Sequence, residues 1–202
     1  ILLTGGLGFI GSHCVLDLLK NNHNPIIIDN CSTCKEITLN RIEKLSQKKL
    51  NFHKIDLINL SDIERVFQSY DIHSVIHLAG YKSVSESMRN PSKYYKNNVI
   101  GSANLLKTMM KFSVKKILFS SSATVYGKPS YLPLDELHDL KPVNVYGENK
   151  LVIEKMIEQI VNSEKDWSAV SLRYFNPIGS YKSGLLGEDT KLISDNLVPQ
   201  IL

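Results

Sequence analysis

The sequence predicts an α/β protein with a doubly wound parallel sheet, followed by the start of a smaller C-terminal domain. Three observations support this fold class. Short apolar segments alternate with amphipathic ones, and the apolar segments lack the polar alternation of half-exposed strands. A glycine-rich turn also follows the first apolar segment. We expect the first domain to span residues 1–175 and the second to begin within residues 176–202.

The strands and helices follow from these patterns in chain order. Apolar runs predict strands at residues 1–4, 25–29, 50–55, 74–79, 115–121 and 168–174. Helical spacing predicts helices near residues 9–22, 36–48, 61–70, 91–112 and 145–163. Ser61 and Glu64 have the spacing of a capping box, and Asn90 followed by Pro91 is typical of a helix start. Strands joined through helices should have right-handed crossovers.

Composition excludes several classes of protein. The 202 residues carry a net charge of +4, and the lysines are scattered rather than grouped in an arginine-rich stripe, so nucleic acid is not an expected partner. An apolar run of about 18 residues would be needed to span a membrane, and none is present. The three cysteines, an odd number without a disulfide framework, favour a reducing, cytoplasmic setting.

Cys31 and Cys34 form a CxxC pair. Zinc would need two more ligands at suitable spacing, and none is evident in the sequence, so we expect no metal site. A redox pair is the alternative to a coincidence of loop sequence.

The segment TGGLGFIG, residues 4–11, lies between the first strand and the first helix. Its glycines fit G-x-G-x-x-G, a Rossmann-type pattern that lets the backbone approach a pyrophosphate while the helix offers unpaired amides. Asp29 ends the second strand 18 residues after Gly11, where an acid binds ribose hydroxyls. A carboxylate there repels a 2′-phosphate, so NAD is favoured over NADP. The alternative is a glycine-rich turn with a capping aspartate.

Two further strand ends fit the same cofactor, because ligands of open parallel sheets bind at the carboxyl ends of the strands. Asp56 follows the third strand and could reach adenine, or could cap a helix. Ala79 and Gly80 follow the fourth strand and are small enough to let the chain pass close to a dinucleotide. His77 is interpreted as a packed strand residue rather than a ligand.

Tyr146 and Lys150 lie four residues apart at the start of the last predicted helix and so share one face. They could be an exposed pair of little consequence. The alternative is a base: a free phenol has a pKa near 10, and service near neutrality requires lowering it by about three units, roughly 4 kcal/mol. A nearby ammonium and a positive nicotinamide ring would favour the phenolate. Ser122, at the end of the fifth strand, could bind the same substrate oxygen.

The whole chain resembles the extended short-chain dehydrogenase/reductase superfamily, and within it the 4-epimerases of UDP-sugars. The resemblance is carried by TGGLGFIGSH, VIHLAG, NNVIGSANLL, FSSSATVYG, YGENK, LRYFNPIG and NLVPQI. It implies interconversion of UDP-glucose and UDP-galactose through transient oxidation at the sugar 4-position with bound NAD. The alternatives are a UDP-N-acetylhexosamine as substrate, or a module that binds NAD without catalysis.

The resemblance also assigns residues. It implies Ser122 as the catalytic hydroxyl, Tyr146 as the base and Lys150 as the residue that tunes the base. The positions expected to bind NAD are Gly5, Gly8, Phe9, Ile10, Gly11, Asp29, Asn30, Asp56, Leu57, Leu78, Ala79, Gly80, Lys82, Asn97, Tyr146, Lys150 and Tyr174. Those expected to bind the UDP-sugar are Ser122, Thr124, Tyr146, Asn176, Asn196 and Leu197.

Departures from related families refine this interpretation. Related 4,6-dehydratases carry an Asp–Glu pair where this chain has Ala123 and Thr124, so elimination of water is not expected. Val145 stands where the family usually has a proline, which should loosen the helix start slightly. Family members are also longer, so we expect a truncated chain that is inactive on its own.

The resemblance further implies a homodimer in which the helices near residues 91–112 and 145–163 pair across a two-fold axis. Such helices need one apolar stripe for the sheet and a second for the partner. The polar sequence SKYYKNN at residues 92–98 gives this only partial support.

Overall fold

A computed structural model describes residues 1–189 and 201. Six parallel strands form one sheet in the order β3-β2-β1-β4-β5-β6, which is the doubly wound arrangement that the sequence predicts. The strands are β1 Leu2–Thr4, β2 Ile26–Asp29, β3 Asn51–Lys54, β4 Val75–His77, β5 Lys116–Ser122 and β6 Ser168–Tyr174. The order reverses between β1 and β4, and this is where an open parallel sheet binds its ligands.

Seven α-helices connect the strands within the described residues. They are α1 Phe9–Lys20, α2 Ile37–Ser46, α3 Leu60–Ser69, α4 Val84–Arg89, α5 Pro91–Tyr94, α6 Gly101–Lys111 and α7 Val145–Ser163. A π-helical segment, Tyr95–Ile100, joins α5 to α6, and a 3₁₀ turn, Ala123–Val125, follows β5. Of these described helices, none is long and apolar enough to cross a membrane.

The two faces of the sheet belong to two apolar clusters. Leu2 lies in the cluster that includes residues of α3, α6 and α7, whereas its neighbour Leu3 lies in the cluster formed with α1 and α2. The same alternation occurs at Ile27 and Ile28 on β2. Strands that are buried on both faces read as continuous apolar runs, which explains why the sequence identified them.

The predicted capping box at the start of α3 is wrong. This helix begins at Leu60 with Asn59 in the N-cap position, so Ser61 already lies inside it. A turn at Asp56 starts the helix early, because the Asp56 carboxylate accepts a hydrogen bond from the Ile58 amide at 3.0 Å. Glu64 pairs instead with Lys111 of α6, at 2.7 Å.

The helix predicted near residues 91–112 is confirmed, with a π-helical segment inside it that the sequence did not predict. The chain forms α5, the π-helical segment and α6 in succession, and the short helix α4 precedes them. Asn90 and Pro91 do occupy the N-cap and first positions of α5, although the Asn90 side chain makes no capping bond. The π-helical segment contains Asn98, whose side chain bonds the backbone amide and carbonyl of Tyr81 at 2.8 and 3.0 Å. This pairing fastens the segment to the loop that follows β4.

Candidate active site

A cleft of about 360 Å³ runs along the carboxyl ends of the strands. Its walls include every described residue that is expected from the sequence to bind a cofactor or substrate. Asn196 and Leu197 lie outside the described residues. Residues far apart in the chain, from Gly5 to Asn176, are therefore brought to one surface.

The glycine-rich turn forms the floor of the cleft between β1 and α1. Gly5 has a φ of +71°, and a Cβ there would lie 2.6 Å from the Ala79 backbone nitrogen. A Cβ at Gly11 would lie 2.1 Å from the Gly5 carbonyl oxygen. The turn therefore packs backbone against backbone. α1 begins after Gly8 without a side-chain cap, which leaves its first amides available to an anionic group.

Asp29 closes one end of the cleft. Its Oδ2 accepts a hydrogen bond from the Leu7 amide at 3.1 Å, and its Oδ1 accepts one from the Cys31 amide at 2.9 Å. The carboxylate thus ties the glycine-rich turn to the end of β2. Nearby, the Asn30 side chain donates to Asp56 Oδ2 at 3.0 Å, so Asp56 holds a turn and also lines the cleft.

His77 is confirmed as a packed strand residue. It is 1% exposed, and its two ring nitrogens contact the hydroxyls of Thr4 and Ser102 at 2.6 and 2.7 Å. Burial, with a smaller contribution from the Lys150 charge, lowers the pKa of His77 to about 3. The neutral ring therefore links β1, β4 and α6 beneath the cleft.

Ser122 and Tyr146 form the opposite end of the cleft. Ser122 ends β5, and its Oγ accepts hydrogen bonds from the Thr124 amide and hydroxyl at 3.2 and 2.9 Å. Asn144 caps α7 by accepting a hydrogen bond from the Gly147 amide at 2.8 Å, which fixes Tyr146 in the first turn. Burial raises the pKa of Tyr146, and a hydrogen bond with Ser122 opposes that shift.

Lys150 lies one turn further along α7 and is 4% exposed. Its ammonium donates to the Ser120 carbonyl at 2.6 Å and lies 5.7 Å from the centroid of the Tyr146 ring. Burial lowers the pKa of Lys150 to about 8, and the Glu154 carboxylate acts in the opposite direction. The ammonium is therefore held near the phenol at neutral pH.

The pKa of Tyr146 differs from the sequence-based expectation in one respect. The expected arrangement lowers the phenol pKa, whereas burial in the protein alone raises it. Desolvation disfavours the phenolate more strongly than the protein's own groups favour it. A phenolate near neutrality would thus depend on a further positive charge in the cleft.

Several residues at the cleft were not predicted from the sequence. Asp189 lines it and pairs with Lys35 and with Arg41, the latter at 3.0 Å. The adjacent Glu188 pairs with Lys82, a predicted cofactor residue. These contacts join residues more than 100 positions apart, and no local sequence signal marks them.

Comparisons with known proteins agree with this geometry. The model of the NAD dependent epimerase/dehydratase family matches residues 1–198. UDP-glucose 4-epimerase of Dictyostelium discoideum is 44% identical over all of this chain and 58% of its own length, and the human UDP-glucose 4-epimerase is 43% identical over all of this chain and 60% of its length. The chain thus spans about three fifths of the length of these curated relatives.

The solved structure of UDP-glucose 4-epimerase from Bifidobacterium longum, in complex with NAD+ and UDP, superimposes with a TM-score of 0.96. It is 43% identical, and the match covers 99% of this chain and 60% of that one. The six-stranded parallel sheet, the glycine-rich turn below its switch point and the match over residues 1–198 all lead to one assignment. The chain belongs to the NAD dependent epimerase/dehydratase family.

Proposed function

We propose that this protein binds NAD along the cleft and interconverts UDP-glucose and UDP-galactose. The observation that carries the proposal is the convergence of Ser122, Tyr146 and Lys150 at one end of a cleft whose other end is Asp29. The identities of 43–44% with UDP-glucose 4-epimerases support the choice of substrate.

The residues of the cleft fit a dinucleotide. Gly5 and Gly8 leave the backbone bare where a pyrophosphate would approach, and the uncapped start of α1 offers amides and a positive dipole end. Asp29 and Asn30 would hold the adenosine ribose. Tyr146 and Lys150, which line the same cleft, would hold the nicotinamide ribose.

When held by these residues, NAD would supply the hydride acceptor and donor for the sugar 4-carbon, and inversion there requires the oxidised sugar to turn its other face toward the ring before the hydride returns. The protein's own groups handle the proton. Tyr146 takes it from the sugar 4-hydroxyl and returns it to the same oxygen, while Ser122 donates a hydrogen bond to that oxygen. Lys150, fixed by the Ser120 carbonyl, keeps a positive charge beside the phenolate. No net oxidation results.

The raised pKa of the Tyr146 phenol is compatible with this role. In the protein alone the phenol keeps its proton even with the Lys150 ammonium nearby, and the oxidised nicotinamide ring would add a further positive charge. The base is then activated when the oxidised cofactor is present, which couples proton removal to hydride removal.

The loop after β5 argues against dehydration. It forms a 3₁₀ turn in which the Thr124 hydroxyl donates to Ser122, and Ala123 offers no proton-transfer group. Elimination of water would need an acid and a base at these two positions.

Proposals on assembly follow from the family and the surface. Apolar side chains of the α4–α6 region are exposed: Met88, Tyr95, Ile100 and Met110. They support a homodimer built from this region and α7, which sedimentation at micromolar concentration would test by its mass.

The cysteines form no disulfide, in keeping with a cytoplasmic location. We also retain the division into an NAD-binding domain, residues 1–175, and the start of a substrate-binding domain, residues 176–202.

The test is a coupled assay of the protein, extended to the length of its relatives, with UDP-galactose and separately with UDP-N-acetylgalactosamine. Tyr146→Phe should cut turnover by about 10²–10⁴-fold, the usual cost of losing a general base. The matched control is Tyr131→Phe, an exposed tyrosine outside the cleft. NAD binding without turnover of either sugar nucleotide would support the non-catalytic alternative, and unchanged activity of Tyr146→Phe would refute the assignment of the base.

A further inference from the structure

Asp29, Cys31 and Cys34 form a group of which the proposed function uses only Asp29. Their potential ligand atoms, one carboxylate oxygen and two sulfurs, all lie within 4.8 Å of one another. The two thiols are 3% and 5% exposed, and Cys34 lines the cleft. We propose that these three side chains bind a thiophilic divalent cation, zinc by preference, at this end of the cleft.

The distances suit tetrahedral zinc. Zinc–sulfur bonds of about 2.3 Å and zinc–oxygen bonds of about 2.0–2.2 Å, at tetrahedral angles, place a sulfur and an oxygen ligand about 3.5 Å apart. The observed separation of Cys34 Sγ and Asp29 Oδ1 is 3.6 Å. Two of the three side chains, Asp29 and Cys34, line the cleft.

The local backbone builds this arrangement. Cys31 has a φ of +55°, and its amide donates to Asp29 Oδ1 at 2.9 Å. The next amide, of Ser32, donates to the Asn30 side chain at 3.0 Å, so the chain turns tightly after β2. Both thiols are thereby held beside the carboxylate and within the apolar cluster that includes Ile27 and Ile42.

The ligand set selects the class of metal. Two sulfurs and one carboxylate favour zinc and its thiophilic analogues, whereas magnesium and calcium require mainly oxygen ligands. The sequence predicts no metal here, because no two further ligands stand at a suitable spacing from the CxxC pair. Asp29 provides a third ligand that the fold, rather than a spacing motif, brings into place.

A cation at this group would share Asp29 with the adenosine end of the proposed NAD site. Zinc and NAD should therefore compete, and this second part of the inference rests on the proposed function. The binding of the cation itself does not, so it is measured without NAD.

The experiment titrates cadmium, a spectroscopic substitute for zinc, into the reduced protein and follows the cadmium–thiolate charge-transfer absorbance. One equivalent should bind. Cys31→Ser and Cys34→Ser should each weaken binding by at least about 10²-fold, since even residues that merely support metal ligands cost 10–100-fold when lost. The matched control is Cys14→Ser, because Cys14 lies on α1 outside the group and should not affect binding.

A second measurement does not depend on the variants folding. Zinc should protect Cys31 and Cys34 of the unmodified protein from alkylation, detected by mass spectrometry, and leave the alkylation of Cys14 unchanged. Absence of charge-transfer absorbance, or equal cadmium affinity of the wild type and Cys34→Ser, would overturn the site.

Competition between zinc and NAD is measured separately, as the change in NAD affinity when zinc is added. If NAD and zinc bind together without mutual effect, the shared use of Asp29 is refuted while the proposed function stands. If cadmium binds through the thiols but NAD does not bind at all, the proposed function fails and the metal site stands.

Discussion

Asp29 shows how one side chain can shape a site and also select its ligand. Its two oxygens accept hydrogen bonds from the amides of Leu7 and Cys31, so the carboxylate is fixed at the end of β2. In the proposed complex it faces the adenosine ribose. A fixed negative charge accepts hydrogen bonds from ribose hydroxyls and repels a 2′-phosphate.

We therefore expect the protein to bind NAD more tightly than NADP, and Asp29→Asn to narrow that difference. Asparagine removes the charge but keeps an oxygen that can accept one of the amide hydrogen bonds. Titration of both cofactors against both proteins checks the prediction. Asp17→Asn, an exposed aspartate on α1, is the control and should leave the ratio unchanged. Equal affinities of the wild type for the two cofactors would contradict it.

Lys150 provides a prediction on pH. Burial lowers its folded-state pKa to about 8 from an ordinary value of 10.5. Between these values the unfolded chain binds a proton that the folded protein has released, so this residue makes the free energy of unfolding rise with pH. The slope approaches about 1.4 kcal/mol per pH unit. Below pH 8 both states are protonated and the slope vanishes.

Lys150→Met should remove this contribution. The difference in unfolding free energy between the wild type and the variant, measured in urea, should grow in favour of the wild type from about pH 8 to about pH 10. The shared titrations of the cysteines and of other lysines largely cancel in this difference. Lys155→Met changes an exposed lysine on the same helix and should show no such trend. A pH-independent difference for Lys150→Met would mean that this ammonium is not desolvated.

At the scale of elements, an ion pair between the buried Glu154 and the partly buried Arg173 joins α7 to β6. Arg173 donates from Nε and Nη2 to the two oxygens of Glu154 at 3.1 and 2.8 Å, and from Nη1 to the Tyr126 hydroxyl at 3.2 Å. Ser121 on β5 also donates to Glu154. The pair fixes the helix that carries Tyr146 and Lys150 against the two strands nearest the reacting groups.

Removing one partner of this ion pair should lower the free energy of unfolding more than removing both partners does. Arg173→Met leaves the Glu154 carboxylate buried and unpaired, which typically costs about 3–5 kcal/mol of stability. The double variant Arg173→Met with Glu154→Gln removes both charges and should recover part of that loss. Denaturant unfolding of the single and double variants measures the coupling. Glu158→Gln, exposed on α7, is the control, and additive effects of the two substitutions would contradict a coupled pair.

The same elements show what the sequence can predict. α7 occupies residues 145–163 as predicted, because its apolar spacing and its cap at Asn144 agree. The central strands β1, β2 and β4 were identifiable because the sheet is buried on both faces there. The π-helical segment was not identifiable from the sequence. Its wider helical turn accompanies the tertiary pairing of Asn98 with Tyr81, and local periodicity carries no signal of that pairing.

The residues of the candidate site also fall into two groups, those that leave a local sequence pattern and those that do not. The glycine-rich turn, Asp29 and the Tyr146–Lys150 pair each leave a local pattern, and the structure brings them to one cleft. The ion pairs of Asp189 with Lys35 and Arg41, and the closeness of Asp29 to two cysteines, leave no local sequence pattern. Sequence patterns therefore predict groups that depend on one strand end or one helix face, and miss those assembled from several loops.

At the scale of the whole molecule, part of the sheet is uncovered in the described residues. Val170 on β6 is 51% exposed, while its neighbour Ala169 packs into the cluster of α3, α6 and α7. Beyond β6, Phe175 and Ile178 are 60% and 71% exposed. Apolar groups exposed side by side favour burial against another part of the protein. The curated relatives are longer than this chain, which covers about three fifths of their length.

We therefore expect residues 1–202 alone to bind NAD but to show no measurable epimerisation. The glycine-rich turn, Asp29, Tyr146 and Lys150 all lie within this segment. Under the proposed function, we expect most of the surface that anchors uridine and diphosphate to lie beyond this segment, so that the sugar would not be held against Tyr146. Positioning of reactants is worth about 7–11 kcal/mol, and most of it would be forfeited.

The measurement is a coupled assay with UDP-galactose and NAD on residues 1–202, beside the protein extended to the length of its relatives. Retained NAD binding shows that the cofactor half has folded, so inactivity can be attributed to substrate anchoring. Turnover by residues 1–202 within about tenfold of the extended protein, a difference of about 1.4 kcal/mol in activation free energy, would show that anchoring lies within the first 202 residues. In that case the residues lining the described cleft, including Asn176, would have to hold the nucleotide themselves.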